Sequence, residues 1–158
     1  MQDRIILVAE DDETEIRVLR RAFASVGGLA AVQYVANGEE VMAYLKGEHP
    51  YSNRKLHPFP DLLLLDLKMP RMSGAEVLEA VRAHPLLKRL PVIVFSGSER
   101  PKDIALAMEF GANSFLVKPT RQSELVALLR AIESYWLKWN RTAMVQLPQG
   151  SAASKARH

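Results

Sequence analysis

The sequence contains no cysteine, and this absence excludes several kinds of site at once. Disulfide bonds, thiolate metal centres and cysteine nucleophiles all need a thiol, so none of them can account for this protein. Long hydrophobic runs are missing as well, because no apolar stretch approaches the length that a membrane-spanning helix requires. The amino terminus shows no charged and then apolar leader, so we expect a soluble cytoplasmic protein with no membrane partner.

The sequence also lacks nucleotide-binding glycine motifs and a concentrated basic region. No G-x-x-x-x-G-K-S/T or G-x-G-x-x-G loop follows any strand pattern. The formal net charge is +3, but the basic residues are scattered, and part of the excess lies in the tail at Lys155 and Arg157. Too little sequence follows residue 140 for a helix-turn-helix. We therefore expect a solvated basic surface and no nucleic-acid partner.

The sequence does contain an apolar strand pattern that ends on a single carboxylate. The run Leu62–Leu65 directly precedes Asp66, and a continuous apolar run is typical of a strand that is buried on both faces. Two further apolar runs end in charged residues, at Glu10-Asp11-Asp12 and at Lys118. Because the carboxyl ends of parallel strands share one edge of a sheet, we expect these charges to meet there.

Strand patterns alternate with helix patterns along the whole sequence. Apolar residues at helical spacing predict a helix after each of five strands, and the last helix carries Leu125, Leu129 and Trp136 on one stripe. Strict alternation with short connections favours right-handed crossovers and a parallel sheet. We expect a flavodoxin-like (βα)5 fold, an α/β doubly wound parallel sheet with strand order 2-1-3-4-5. Residues 1–140 would form this single domain, followed by an extension over residues 141–158.

The charged residues predict a site for phosphorus chemistry. Converging carboxylates such as Glu10, Asp11 and Asp66 repel each other, so they share protons or bind a cation. Oxygen ligands without histidine or cysteine select a hard ion such as Mg²⁺. With a metal present, Asp66 could act as the nucleophile of phosphoryl transfer. Lys118 and the Ser96 hydroxyl could then neutralise and hydrogen-bond the phosphoryl oxygens.

Each of these residues also has a purely structural interpretation. Asp12, and less readily Asp11, could cap the helix that follows the first strand, and Asp66 could stabilise a turn. Lys118 could be a solvated strand end, and Ser96 could be a helix-entry residue. Their joint placement at four strand ends favours a shared site over these separate interpretations.

The order and spacing of these motifs resemble the receiver domain of bacterial two-component response regulators. The resemblance covers residues 4 to 135. It rests on Glu10-Asp11-Asp12, on Asp66 with Met69-Pro70 and Gly74, on Ser96-Gly97 and on Lys118-Pro119. It implies that Asp66 accepts a phosphoryl group from the phosphohistidine of a sensor histidine kinase, in a reaction that depends on Mg²⁺.

The same resemblance implies roles for individual residues. Asp11 would bind Mg²⁺ directly and Glu10 would act through water. The backbone carbonyl of Lys68 would join Asp66 among the protein ligands, and Lys118 would bind the phosphoryl group.

Further roles implied by the resemblance concern conformational switching. Ser96, with Gly97 beside it, and Phe115 match the switch positions of the family. Phe115 lacks the hydroxyl of the tyrosine often found there, so its switching would involve ring packing without a phenol hydrogen bond. The Lys118-Pro119 peptide bond would be cis, a geometry that proline alone tolerates cheaply.

A narrower resemblance concerns the stand-alone regulators that partner phytochrome-type kinases. It rests on the long loop from Gly47 to Asp61 and on Tyr135-Trp136-Leu137 followed by Val145-Gln146-Leu147-Pro148. The expected kinase partner is therefore a bacteriophytochrome, and the expected protein is a phosphoacceptor rather than an enzyme. Two alternatives stay open, a degenerate receiver that only binds proteins and a haloacid-dehalogenase-like phosphatase. The complete acidic set disfavours a degenerate receiver. The phosphatase mechanism needs an aspartate two residues after the nucleophile, and this sequence has Lys68 at that position.

The carboxyl-terminal part carries more apolar side chains than one exposed helix end should show. These side chains are Tyr135, Trp136, Trp139, Val145 and Leu147. We expect a two-fold homodimer built from the last helix and an arm over residues 141–149, the alternative being that these side chains fold back on the protein's own core. Residues 150–158 are small, polar and basic, and we expect them to be flexible.

Overall fold

The computed structural model of the protein describes residues 4–28 and 30–143. Within these ranges five strands alternate with five α-helices, as the sequence predicts. They are β1 (Arg4–Ala9), α1 (Glu13–Val26), β2 (Ala30–Val35), α2 (Gly38–Lys46), β3 (Leu62–Leu65), α3 (Gly74–Ala83), β4 (Val92–Ser96), α4 (Pro101–Glu109), β5 (Ser114–Val117) and α5 (Gln122–Ile132), which continues into a π-helix (Glu133–Trp139). No helix in the described ranges has both the length and the apolar character needed to cross a bilayer.

The five strands form one parallel sheet in the order β2-β1-β3-β4-β5. This arrangement confirms the flavodoxin-like fold predicted from the alternation of strands and helices. In the register of the sheet, Ala9 lies opposite Leu65, and Ser96 lies opposite Val117. The residues that follow these strands therefore emerge at the same edge.

The leucines of β3 are buried on both faces of the sheet, which explains why the run is continuously apolar. Leu63 and Leu65 belong to the core layer that α2, α3 and α4 cover. Leu62 and Leu64 belong to the opposite layer, under α1 and α5. Because neither face is free for a polar side chain, the first charge that this strand can carry is the residue after it, Asp66.

Polar side chains begin three of the helices. The carboxylate of Asp12 accepts a hydrogen bond from the Thr14 N–H at 2.8 Å, so the capping interpretation of Asp12 is confirmed. Asn37 caps α2 in the same way. Ser73 and Glu76 form a reciprocal capping box at the start of α3. These caps provide hydrogen-bond partners for backbone N–H groups in the first turns of α1, α2 and α3.

The end of the last helix differs from the sequence prediction in its hydrogen bonding. The apolar stripe predicts one long α-helix, but the helix widens into π-type geometry at Glu133. At its end the Asn140 N–H donates to the carbonyl of Tyr135, five residues earlier, at 2.7 Å. Leu137 is nevertheless buried in the core layer under α1 and α5. The wider turn thus keeps the stripe in contact with the core.

The candidate dimer residues differ in exposure. Trp136 is half-buried against the α1 and α5 layer, whereas Tyr135 is 57% exposed and Trp139 is 70% exposed. The fold-back alternative therefore describes Trp136 and leaves the other two rings on the surface. Val145, Leu147 and the tail over residues 150–158 lie outside the described residues.

Candidate functional site

Four strand ends converge at the carboxyl edge of the sheet. Glu10 and Asp66 directly follow β1 and β3, Ser96 ends β4, and Lys118 directly follows β5. The Asp66 N–H donates to the carbonyl of Ala9 at 3.2 Å, and the Lys118 N–H donates to the carbonyl of Ser96 at 2.8 Å. Asp66, Ser96 and Lys118 line one open cleft of about 440 Å³. The parallel sheet therefore brings these sequence-predicted residues together.

The ammonium group of Lys118 lies among three carboxylates. Its Nζ atom is 2.6 Å from Glu10, 2.5 Å from Glu15 and 3.5 Å from Asp66. Burial by itself would lower the pKa of Lys118, but hydrogen bonds to Glu10 and Glu15 outweigh this effect and raise the pKa above its ordinary value. The lysine therefore carries its charge inside the site and is shared among the acids.

The three carboxylates form a compact oxygen-rich cluster. Each of Glu10, Glu15 and Asp66 offers an oxygen within 4.8 Å of the others. Burial raises the pKa of Glu10, and the hydrogen bond from Lys118 only partly offsets that effect. Partial burial would also raise the pKa of Glu15, but its hydrogen bonds with Lys118 and Glu10 lower it overall. An all-oxygen donor set of this kind fits a hard cation such as Mg²⁺.

Glu15 is the residue of this cluster that the sequence analysis missed. It reaches the cluster from the first turn of α1, whereas the other candidate residues stand at strand ends. One signal could have found it: Glu15 lies four residues before Leu19 and so shares its helix face, and Leu19 is buried against the sheet. Asp11, which the resemblance places on the metal, is exposed and is not among these three acids.

Lys68 lies at the rim of the same cleft. Its backbone N–H donates to Oδ1 of Asp66 at 3.3 Å, and its side chain is exposed. This contact helps to orient the Asp66 carboxylate. The role implied for the carbonyl of Lys68 stays a prediction.

The expected switch residues lie in and beside the loop after β4. Ser96 is buried, and its hydroxyl oxygen accepts a hydrogen bond from the Ser98 N–H at 3.1 Å. The hydroxyl of Ser98 in turn donates to the carboxylate of Asp103 at 2.5 Å. Gly97 is exposed between the two serines, and Phe115 is half-buried against the core layer of α2, α3 and α4. The switching roles of Ser96, Gly97 and Phe115 stay predictions.

The expectation of a cis bond before Pro119 is wrong for this structure. Within the described ranges the cis peptide bond is His49–Pro50, so the Lys118–Pro119 bond is trans. The two isomers of a bond before proline differ by only about 0.5–1 kcal/mol, so a proline in the sequence does not by itself select one of them. The trans bond is compatible with both the backbone and the side-chain contacts of Lys118 at the sheet edge.

Comparisons with known proteins place this arrangement in a family. A sequence model of the response regulator receiver domain matches residues 6–130. Response regulator Rcp1 of Synechocystis sp. is 31% identical over 135 residues, which cover 85% of this chain and 90% of Rcp1.

Two solved structures are similar to the whole fold. The chain resembles response regulator RPA3017 in red light signaling of R. palustris with a TM-score of 0.85 and 32% identity, over 89% of this chain and 99% of that one. It resembles the phosphorylated cyanobacterial phytochrome response regulator RcpA with a TM-score of 0.81 and 34% identity, over 90% of this chain and 100% of that one. With its acids, lysine and serine at the ends of four parallel strands, the chain belongs to the response regulator receiver domain family, and its relatives include stand-alone phytochrome response regulators.

Proposed function

We propose that this protein is a stand-alone response regulator that accepts a phosphoryl group on Asp66 from a sensor histidine kinase. The observation that carries the proposal is the placement of Asp66 in an open cleft with Lys118 Nζ 3.5 Å away and Ser96 on the same rim. The relatives that this chain matches over nearly their whole length support a regulator without an attached output domain.

The chemistry at Asp66 is a transfer of phosphorus from nitrogen to oxygen. A carboxylate oxygen of Asp66 attacks the phosphorus of the kinase phosphohistidine. A P–O bond forms as the P–N bond breaks, and the imidazole leaves with the bonding electron pair and takes up a proton. The product is an acyl phosphate on Asp66.

Two groups of this chain assist the transfer directly. The ammonium of Lys118 neutralises charge on the phosphoryl oxygens, and the Ser96 hydroxyl donates to one of them after it turns away from the Ser98 N–H. A bound Mg²⁺ would supply further neutralisation of the same oxygens, and Glu10 and Asp66 are the residues that would hold it, with the negative charge of Glu15 beside them.

Signal output in this proposal is a shift between two conformations. Withdrawal of the Ser96 hydroxyl toward a phosphoryl group breaks its contact with Ser98, which is linked to α4 through Asp103. The Phe115 ring is half-buried against the core layer and would repack in response. Phosphorylation thus favours one of two arrangements of the loop between β4 and α4.

The partner that we propose is a phytochrome-type histidine kinase. RcpA and RPA3017, which this chain resembles over nearly its whole described length, are a phytochrome response regulator and a regulator in red light signaling. A phosphotransfer assay with a phosphorylated phytochrome kinase and, in parallel, a histidine kinase of another sensor class tests this partner. We expect faster transfer from the phytochrome kinase, and equal or slower transfer would contradict the assignment.

Asp66 is the residue on which the proposed phosphotransfer depends. Asp66→Asn should abolish labelling by a small phosphodonor such as phosphoramidate in the presence of Mg²⁺, because an amide cannot form the acyl phosphate. Intact-protein mass spectrometry measures the added phosphoryl mass. The matched control is Asp12→Asn, which removes a carboxylate near the site while an asparagine still caps α1.

We expect the control protein to be labelled at the wild-type level. Labelling of the Asp66→Asn protein at another position would overturn the proposed function. Release of phosphate from simple phosphate esters would instead favour the haloacid-dehalogenase-like alternative, which Lys68 disfavours because that mechanism needs a general acid two residues after the nucleophile.

A homodimer is the oligomeric state that we propose. Tyr135 and Trp139 present exposed aromatic rings on the π-helix, and large exposed aromatic side chains in one place are typical of protein interfaces.

A further inference from the structure

The ammonium of Lys118 makes two short ion pairs that compete with a phosphoryl group on Asp66 for the same lysine. A lysine has three N–H donors. Two of them are directed to Glu10 and Glu15 at 2.6 and 2.5 Å, whereas Asp66 is 3.5 Å away, at the limit of a hydrogen bond. When the ammonium moves toward Asp66 to shorten this third contact, it moves away from Glu10 or Glu15, and we expect one of the two short ion pairs to weaken.

Glu10 and Glu15 differ in the free energy that is needed to separate each of them from Lys118. The side chain of Glu10 is 3% exposed, and its Oε1 atom also accepts a hydrogen bond from the Asp12 N–H at 3.1 Å. The side chain of Glu15 is 45% exposed and leaves from the first turn of a helix. Glu15 can turn into water at little desolvation cost, but Glu10 would remain buried without its counter-charge. The ion pair between Glu15 and Lys118 is therefore the one that breaks.

We infer that Glu15 is a positioning residue that holds the Lys118 ammonium in the unphosphorylated protein and is displaced from it when Asp66 carries a phosphoryl group. This inference rests on the proposed function of Asp66. Glu15 lowers the affinity of the site for a phosphoryl group because it competes for the lysine. It also adds a negative charge beside Glu10 and Asp66, which favours a divalent cation.

Glu15 thus lowers the affinity for a phosphoryl group and raises the affinity for Mg²⁺. A substitution that removes its charge should therefore shift the two affinities in opposite directions. Glu15→Gln should weaken binding of Mg²⁺ by roughly threefold, because one carboxylate charge is lost from the cluster. The same substitution should tighten binding of beryllofluoride, an analogue of the phosphoryl group, by roughly fivefold, which is the size expected for the loss of a half-exposed ion pair. A residue that only supports the fold would weaken both or change neither.

The experiment uses the full chain and two binding measurements that need no turnover. Isothermal titration calorimetry gives the affinity for Mg²⁺ alone. Fluorine NMR gives the affinity for beryllofluoride at a Mg²⁺ concentration that saturates each protein. Glu15→Asp separates charge from contact, since its shorter side chain keeps the charge but draws back from Lys118. We expect near wild-type Mg²⁺ affinity and tighter beryllofluoride binding for this variant.

Glu13→Gln is the matched control. Glu13 is exposed in the same turn of α1, and the substitution removes the same charge from the same helix end without contact to the site. We expect both affinities to stay within twofold of the wild type, as a rough bound for a screened surface charge. Circular dichroism of each variant checks that α1 is intact.

The outcomes separate the inference from the function on which it depends. Opposite shifts in the Glu15→Gln protein, with an unchanged control, support the inference. Shifts of the same sign, or no shift, overturn it while labelling of Asp66 in the wild type leaves the proposed function standing. If wild-type Asp66 takes neither beryllofluoride nor a phosphoryl group, the proposed function fails and the inference fails with it.

Discussion

At the scale of single residues, the site depends on how closely the backbone packs behind Asp66. Gly74 begins α3, and its N–H donates to the carbonyl of Leu67 at 2.9 Å. A Cβ atom at this position would overlap the carbonyl oxygen of Asp66 and would lie 2.7 Å from Cα of Leu67. These obstacles are backbone atoms, which cannot move aside without displacing Asp66, the proposed phosphoacceptor. Glycine is therefore needed here for space.

Gly74→Ala should lower the free energy of unfolding by about 1–3 kcal/mol, the usual cost of overpacking. It should also slow the labelling of Asp66 by phosphoramidate, because the added methyl group pushes on the loop that carries the carboxylate. Urea unfolding measures the stability. Gly97→Ala is the control for stability, since a Cβ there meets nothing within 4 Å. Equal stabilities of the two variants would contradict this account.

At the scale of secondary structure elements, Arg82 connects α3 to the segments that lead into β4 and β5. Its half-buried guanidinium donates to the carbonyls of Lys88, Leu90 and Gly111 and to the side chain of Asn113, all at 2.8 to 2.9 Å. Burial lowers the pKa of Arg82 from its ordinary value, but not enough to discharge an arginine near neutral pH. One side chain thus satisfies acceptors from two different loops.

Arg82→Met should cost about 2–4 kcal/mol of stability, because it keeps much of the apolar stem but leaves these acceptors without their charged donor. Arg82→Lys should recover only part of this loss, since an ammonium cannot reproduce the planar fork of donors. Urea unfolding of the two variants and the wild type measures the difference. A lysine variant as stable as the wild type would show that charge alone, and not the fork, joins the loops.

At the scale of the whole molecule, the described surface carries exposed aromatic rings on the π-helix that follows α5. Tyr135 and Trp139 contribute their rings to this surface, and Leu137 between them is buried in the core. The same helical segment therefore has one face for the protein's own core and another that is open to a second copy. This division is the physical basis of the proposed homodimer.

Replacing both Tyr135 and Trp139 by serine should convert the proposed dimer to a monomer of 17.7 kDa, because the exposed apolar area that favours association is removed. Light scattering coupled to size-exclusion chromatography measures the mass. Leu56→Ser is the matched control, since Leu56 is 65% exposed but lies in the loop between α2 and β3. A dimer mass that persists in the double variant would exclude these rings as the contact.

Much of the fold could be predicted because it depends on short-range periodicity. The leucines of β3 required burial on both faces, and the alternation of strand and helix patterns required parallel strands whose carboxyl ends meet. For the same reason the sequence predicted that Asp66, Glu10, Ser96 and Lys118 would lie together, since each residue stands at or just after a strand end.

What the sequence determined by itself is therefore the sheet, its order and the residues at its carboxyl edge. The tertiary structure alone decided which acids face Lys118, since Glu15 enters from α1 while Asp11 turns to solvent. It also decided the trans bond before Pro119 and the π-type end of the last helix. The two isomers of a bond before proline differ by only about 0.5–1 kcal/mol. In all three cases contacts between residues distant in sequence select the outcome, and a local sequence pattern does not contain them.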